Sequence, residues 1–199
     1  MELVVSVGDA ALEATPILRV FGVGALVRED SLRSAISLGR ERTFSQDPKY
    51  AIRLLVDIAI KALSPAINDP TTAVQALDQI EDLLIRLGRR RLEIGSFCDA
   101  AGNPRLWISF PTWDDFLSLA FDEIRFYGAT SIQVMRRMKA LVAELISILP
   151  EERQPALRLW QERLQVTVDR SFADQQDRLE ASAEDRQGLG SPRRATGRT

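Results

Sequence analysis

Residues Gly39 to Ile80, GRERTFSQDPKYAIRLLVDIAIKALSPAINDPTTAVQALDQI, decide how this chain folds. Tyr50 to Leu63 reads as a helix, and through its apolar run Arg53, Asp57 and Lys61 recur every four residues. Residues four apart are neighbours on a helix surface, so the three charges form one narrow stripe. The remaining faces are apolar, which predicts a central helix and turns the stripe into a polar seam at or inside the core. The stripe reads first as an ion-pair ladder at the edge of the core, each exposed pair contributing ~0.2–0.5 kcal/mol, and second as a ligand site. A buried seam implies that Asp57→Ala sharply lowers the melting temperature, since breaking a buried pair costs ~3–5 kcal/mol.

SPAINDPTTA follows as a turn and a new helix start. Asp69 suits the capping position and Pro70 the first turn, where a missing N–H does no harm. The helix then runs to about Leu87. Asn68, Asp69, Thr71 and Thr72 place side-chain oxygens and nitrogens beside free backbone N–H groups, a geometry able to hold an anion. Asp69 itself would occupy that positive end, so capping is the first reading and a phosphate site the second.

Composition excludes more than it assigns. The chain of 199 residues suits one domain or one domain with a small appendage. The formal net charge of −2 argues against a nucleic-acid partner. There is no His, which removes Ser/His/Asp triads, HExxH zinc sites and the Glu-x-x-His di-iron pattern. The lone Cys98 has no partner for an internal disulfide. Among 26 basic residues only Lys49, Lys61 and Lys139 are lysines, which favours arginine recognition over Schiff-base chemistry. Acids on one helix (Asp114, Asp115, Asp122, Glu123) and on another (Asp78, Glu81, Asp82) could hold a metal only if the helices converged. No catalytic residue, metal site or cofactor is assigned. The longest run without a charge, Phe126 to Met135, is far short of the ~20 apolar residues a membrane span needs. MELVVSV lacks the features of a signal peptide, so a soluble cytoplasmic chain is the default expectation.

The flanks predict an α+β domain: a small β-rich N-terminal part followed by a mostly helical bundle with one β-hairpin. Residues 1–28 supply ELVVSV and TPILRVFGVGALV as short strands, with Gly22 and Gly24 as turn glycines, since the third glycine of a dinucleotide fingerprint is missing. Residues 29–178 form the helical part, opening on Glu29 and Asp30 with a helix that ends near Gly39. The hairpin lies near 92–110, around DAAGNP. Thr112 and Asp115 form a capping box for a helix through Tyr127, closed by Gly128. Helices over about Ser131 to Leu149 and Glu151 to Asp177 follow. Residues 179–199 are polar and rich in Gly, Ser and Arg, including Arg193, Arg194 and Arg198, and read as a disordered tail.

At RTFSQDPKYAIRLLVDIAIKALSPAINDPTTA the sequence resembles the bacterial family of predicted membrane proteins known as domain of unknown function twenty-two fifty-four. Arg42, Thr43, Gln46, Asp47, Arg53, Leu55 to Ala59, Ala62 to Pro65 and Asn68 to Pro70 stand where that family has like residues. PTWDDFLSLAFDEIRFYGA and VGDAALEATPILRV are similar as well, so the resemblance covers about Leu3 to Leu149. Ala10, Ala14 and Ala66 depart from the pattern, the last sitting where Gly is common. The resemblance implies an inner-membrane protein with several spans ahead of this portion, and no activity, catalytic residue or cofactor. The chain is then either a stand-alone soluble version or, as we expect because Met1 opens within the β-rich segment, a truncated piece whose partner is the missing membrane part.

Three functions follow from these readings. The first is a non-enzymatic module of a membrane protein, serving assembly, regulation or sensing, with Arg42, Asp47, Arg53, Asp57, Asn68 and Asp69 as an internal polar network. The second is a small-anion site using Arg42 and Arg53 beside Thr71 and Thr72. The third is a homo-oligomeric scaffold using Leu157, Trp160, Leu164 and Val168 of the Glu151 to Asp177 helix.

Overall fold

A computed structural model describes residues 1–22, 28–43 and 47–190. Gly24, Gln46 and Arg193, Arg194 and Arg198 lie outside the described residues, as does the end of the second expected strand. The chain forms two compact units, one from Met1–Tyr50 with Leu92–Pro111, the other from Ala51–Arg91 with Thr112–Thr199. The fold is α+β.

The first unit is a four-stranded mixed sheet. Strands β1 (Glu2–Leu3), β2 (Leu18–Arg19), β3 (Ser96–Cys98) and β4 (Pro104–Ile108) are ordered β2-β1-β4-β3. β1 pairs antiparallel with β2 and parallel with β4, so the hairpin of β3 and β4 completes the N-terminal sheet. Its turn is organised by Asp99, whose carboxylate accepts from the N–H groups of Ala101 and Asn103 and from Arg105 Nε at 2.7 Å. Directly paired residues share a face, which places Leu3, Leu18 and Ile108 on one side and Glu2, Arg19 and Trp107 on the other. None of the described apolar side chains of this unit is buried. The helix expected after Glu29 forms as α1 (Glu29–Ser34) and ends well before Gly39, held by the Arg33–Glu29 pair.

The second unit holds the core. Helix α3 (Pro70–Gly88) starts at the Asp69 cap, α4 (Trp113–Tyr127) at the Thr112/Asp115 capping box, and α5 (Ile132–Ile148) at Ser131, whose hydroxyl accepts from Val134 N–H. Each start is a local exchange of side-chain oxygen for an orphan backbone N–H. The central helix is α5, packed against α3, α6 (Gln154–Ser171) and α7 (Gln175–Ser182), with Val134, Met135, Met138, Leu141, Val142 and Leu145 fully buried. The expectation that the helix at Tyr50 would be central is corrected. Helix α2 (Pro48–Ala62) buries Ile52, Val56, Ala59 and Ala62 along one stripe and leaves Ile58 half exposed.

The long helix expected from Glu151 to Asp177 is three pieces. A 3-10 turn (Glu151–Arg153) leads into α6, which stops where Phe172 turns inward, and Asp174 caps α7 through the N–H groups of Gln176 and Asp177. Order also extends past residue 179. Ala181 is buried, and the Asp185 carboxylate gathers the N–H groups of Gln187, Gly188 and Gly190. The polar composition that suggests disorder serves there to satisfy backbone donors. Two close approaches fix the helices at one end. Gly88 lies where a Cβ would come within 2.7 Å of Leu149, and buried Arg153 donates to the carbonyls of Gly88 and Arg90 at the C-terminus of α3.

Candidate functional site

The polar residues singled out in the sequence fall into separate groups. In the sheet unit, Arg42 donates from Nε to the Gly8 carbonyl at 2.7 Å. Asp47 is buried and accepts from Tyr50 N–H at 3.3 Å, while its other oxygen lies against Gly8. That contact needs glycine, because φ at Gly8 is +89° and a Cβ would stand 2.2 Å from Asp47 Oδ2.

In the helical unit the charged stripe of α2 is closed by a residue from another helix. Arg53 donates to Asp57 Oδ1 from Nε at 2.7 Å and to Glu123 of α4 from Nη1 at 2.6 Å and Nη2 at 2.9 Å. The guanidinium fork therefore meets one carboxylate of its own helix and grips a second bidentately. The bond to Glu123, followed by the bond to Asp57, holds the Arg53 cation well above the ordinary arginine range, and Arg53 in turn pulls the Glu123 carboxyl below the usual carboxylate range. The seam is a surface seam. Side-chain exposure is 28% for Arg53, 49% for Asp57 and 45% for Glu123, and Lys61 is exposed with no ion pair among the described residues.

Asp69 fills the start of α3. Its Oδ1 accepts Thr72 N–H at 3.1 Å and its Oδ2 accepts the Thr72 hydroxyl at 2.6 Å, bonds that lower its pKa, the hydroxyl first. Asn68 takes the left-handed conformation with φ +48°, which Asn tolerates better than most residues. Thr71 is exposed and accepts from Gln133 of α5 at 3.4 Å. Arg53 with Asp57 and Asp69 with Thr72 are thus paired, whereas Lys61 and Asn68 join neither group.

The buried arginines that pair with carboxylates of other helices lie elsewhere, on α5. Arg137, 2% exposed, donates to Asp78 Oδ1 at 2.7 Å and to the Glu81 carboxylate, both on α3. Arg136 binds the carbonyl and carboxylate of Glu180 on α7. The arginine pair is not among the residues singled out from the sequence, since a charged dipeptide by itself gives no sign of burial. The signal available was its position inside an otherwise apolar helix. Among the described residues no group of three His, Cys, Asp or Glu is placed to hold a metal ion.

The model of the family described as Predicted membrane protein (DUF2254) matches residues 1–144. The chain belongs to this family. The matched span takes in the sheet unit and α2 through most of α5, whereas α6 and α7 lie beyond it. Uncharacterized protein Rv1290c of Mycobacterium tuberculosis (strain ATCC 25618 / H37Rv) and uncharacterized protein Mb1321c of Mycobacterium bovis are each 31% identical over 144 residues. That stretch is 72% of this chain and 28% of each relative, so the chain spans well under half the length of the curated relatives it matches. No solved structure matches it significantly. Among the described residues no helix is long and apolar enough to cross a membrane.

Proposed function

We propose that this chain is a non-enzymatic module of a larger bacterial membrane protein, serving that protein's assembly, regulation or sensing. The observation that carries the reading is the state of Arg53. Arg53, the arginine that the charge stripe of α2 offers for an anion, is closed by Asp57 and Glu123, and it joins two helices instead of facing an open site. The start of α3 is likewise occupied, by Asp69. Arg42, Asp47, Arg53, Asp57, Asn68, Asp69, Thr71 and Thr72 then act as a framework that sets turns and helix pairs, with the rest of the longer protein as the partner. Family membership and the small share of each relative that is matched support the same reading.

Fractionation of native cells, probed with an antibody to this chain, tests it. The proposal predicts a band larger than this chain that is released from membranes by detergent, and purified chain whose melting temperature is unmoved by inorganic phosphate, nucleotides or acetate. A soluble band at the mass of this chain, together with a phosphate-dependent rise in melting temperature that Arg53→Lys abolishes, would instead establish the anion-site reading. Arg53→Lys separates the two because a lysine keeps the charge and loses the fork.

A further inference from the structure

An open groove of about 570 Å³ lies in the helical unit, between the C-terminal end of α4 and the outer face of α6. It is lined by Arg125, Phe126, Leu159, Arg163, Val166 and Arg170, with Thr167 beneath them. The apolar members are unusually open for their size, Phe126 at 71% exposed, Leu159 at 55% and Val166 at 46%. Apolar surface gathered in one place and rimmed by charge marks an interaction site more often than scattered exposed residues do. On α6 the residues Leu159, Arg163, Val166 and Arg170 recur at helical spacing on one side, while Leu157, Trp160, Leu164 and Val168 are buried on the other. The stripe expected to join two copies of the chain is therefore spent on its own core, and the outer stripe of α6 is the one left uncovered.

Charge identifies the occupant. Three guanidiniums line the groove against one lining carboxylate, Glu162, with Asp122 behind them accepting from Arg163 at 2.7 Å and lying 4.0 Å from Arg125. Arg163 stacks on Trp160 at 3.9 Å, and Arg125 donates from Nη1 to Thr167 at 3.1 Å, so both heads are positioned before any ligand arrives. Arg170 is exposed and makes no hydrogen bond or ion pair among the described residues. A second copy docking by the same face would set arginine against arginine. The volume falls in the ~300–1,000 Å³ range of small-molecule sites and is short for a docked helix. We propose that this groove binds one anionic amphiphile, a phosphate or carboxylate head held by Arg125 and Arg170 with an alkyl tail lying on Phe126, Leu159 and Val166. The α4 side of the groove lies within the span matched by the family model and the α6 side beyond it.

Calorimetric titration of the whole chain with octyl phosphate below its micelle concentration, beside inorganic phosphate and octyl glucoside, tests the proposal. Octyl phosphate is expected to bind at a single saturable site, about tenfold or more tighter than either control. Arg170→Gln and Val166→Asp are each expected to weaken it about tenfold while leaving the melting curve unchanged, because both residues are exposed. Ile58→Asp, on α2, leaves binding intact. Phosphatidylglycerol vesicles that pellet wild type but not Val166→Asp would make the amphiphile a bilayer lipid, and binding of the monomer alone would make it a soluble one; either supports the site. Equal binding of octyl glucoside, indifference to both variants, or saturable binding of an acidic helical peptide with octyl phosphate inert would overturn it.

Discussion

In the helical unit Leu77, Phe121, Met138 and Leu164 are wholly removed from solvent, whereas in the sheet unit Val20, Phe21, Phe97 and Trp107 remain 45–64% exposed. Both units carry apolar residues along their elements, yet only one converts its apolar sequence into buried area. Burial is worth roughly 25 cal/mol per Å² removed from water, so stability is concentrated in α3 through α6. The sheet unit rests on short strand pairings and local bonds such as Asp99–Arg105 and Arg42–Gly8. Short strands whose apolar face is only half-buried are marginal by themselves.

Substitutions can break or sharpen this contrast. Phe121 is fully buried and meets Trp160 edge-on at 5.2 Å, so Phe121→Ala should cost about 3–5 kcal/mol in denaturant unfolding. A loss under 1 kcal/mol, by the same reference scale, would remove the helical unit's claim to the core. Arg137→Ala should cost about 3 kcal/mol, because it strands the Glu81 carboxylate, whose side chain is only 14% exposed, beside a buried seam. If that variant melts like wild type, the buried pair is not a structural clasp.

Asp57→Ala is expected to cost under about 1 kcal/mol, since its partner Arg53 keeps Glu123 and both carboxylates are half exposed. This replaces the large loss that a buried seam would have implied. The same clamp sets a pH dependence. Glu123 has a folded pKa below its unfolded value of 4.5, so the folded state binds fewer protons. Its stabilisation is complete above about that pH and is lost as pH falls through the lower folded value. Arg53→Met should flatten the acid limb of the melting-temperature profile, and an unchanged limb would assign acid sensitivity to other groups. Smallest of all, Phe21→Ser in the sheet unit should shift global unfolding by no more than about 0.5 kcal/mol. A larger shift would mean that this side chain is covered in solution.

The sequence showed most clearly what is decided within a few residues. Asp69-Pro70 and Thr112 with Asp115 mark their helices because a cap depends only on neighbours in the chain. The α+β class and the hairpin turn were legible for the same reason. Partners distant in sequence were not. Glu123 lies seventy positions from Arg53, and periodicity on α2 reveals that a charge stripe exists without saying what faces it. The parallel pairing of β1 with β4 was hidden equally, since two-residue strands carry almost no alternation to read. Arg136 and Arg137 find their carboxylates on α7 and α3, which nothing in the local sequence announces.

Hydrogen–deuterium exchange on the whole chain, followed peptide by peptide, tests the contrast most directly. The account predicts that amides of α3, α4, α5 and α6 exchange only through global unfolding, while those of residues 1–20 and 92–111 exchange many times faster through local opening. Protection of the sheet strands equal to that of α5 would contradict it, because a sheet without buried apolar side chains cannot share the stability of the helical core.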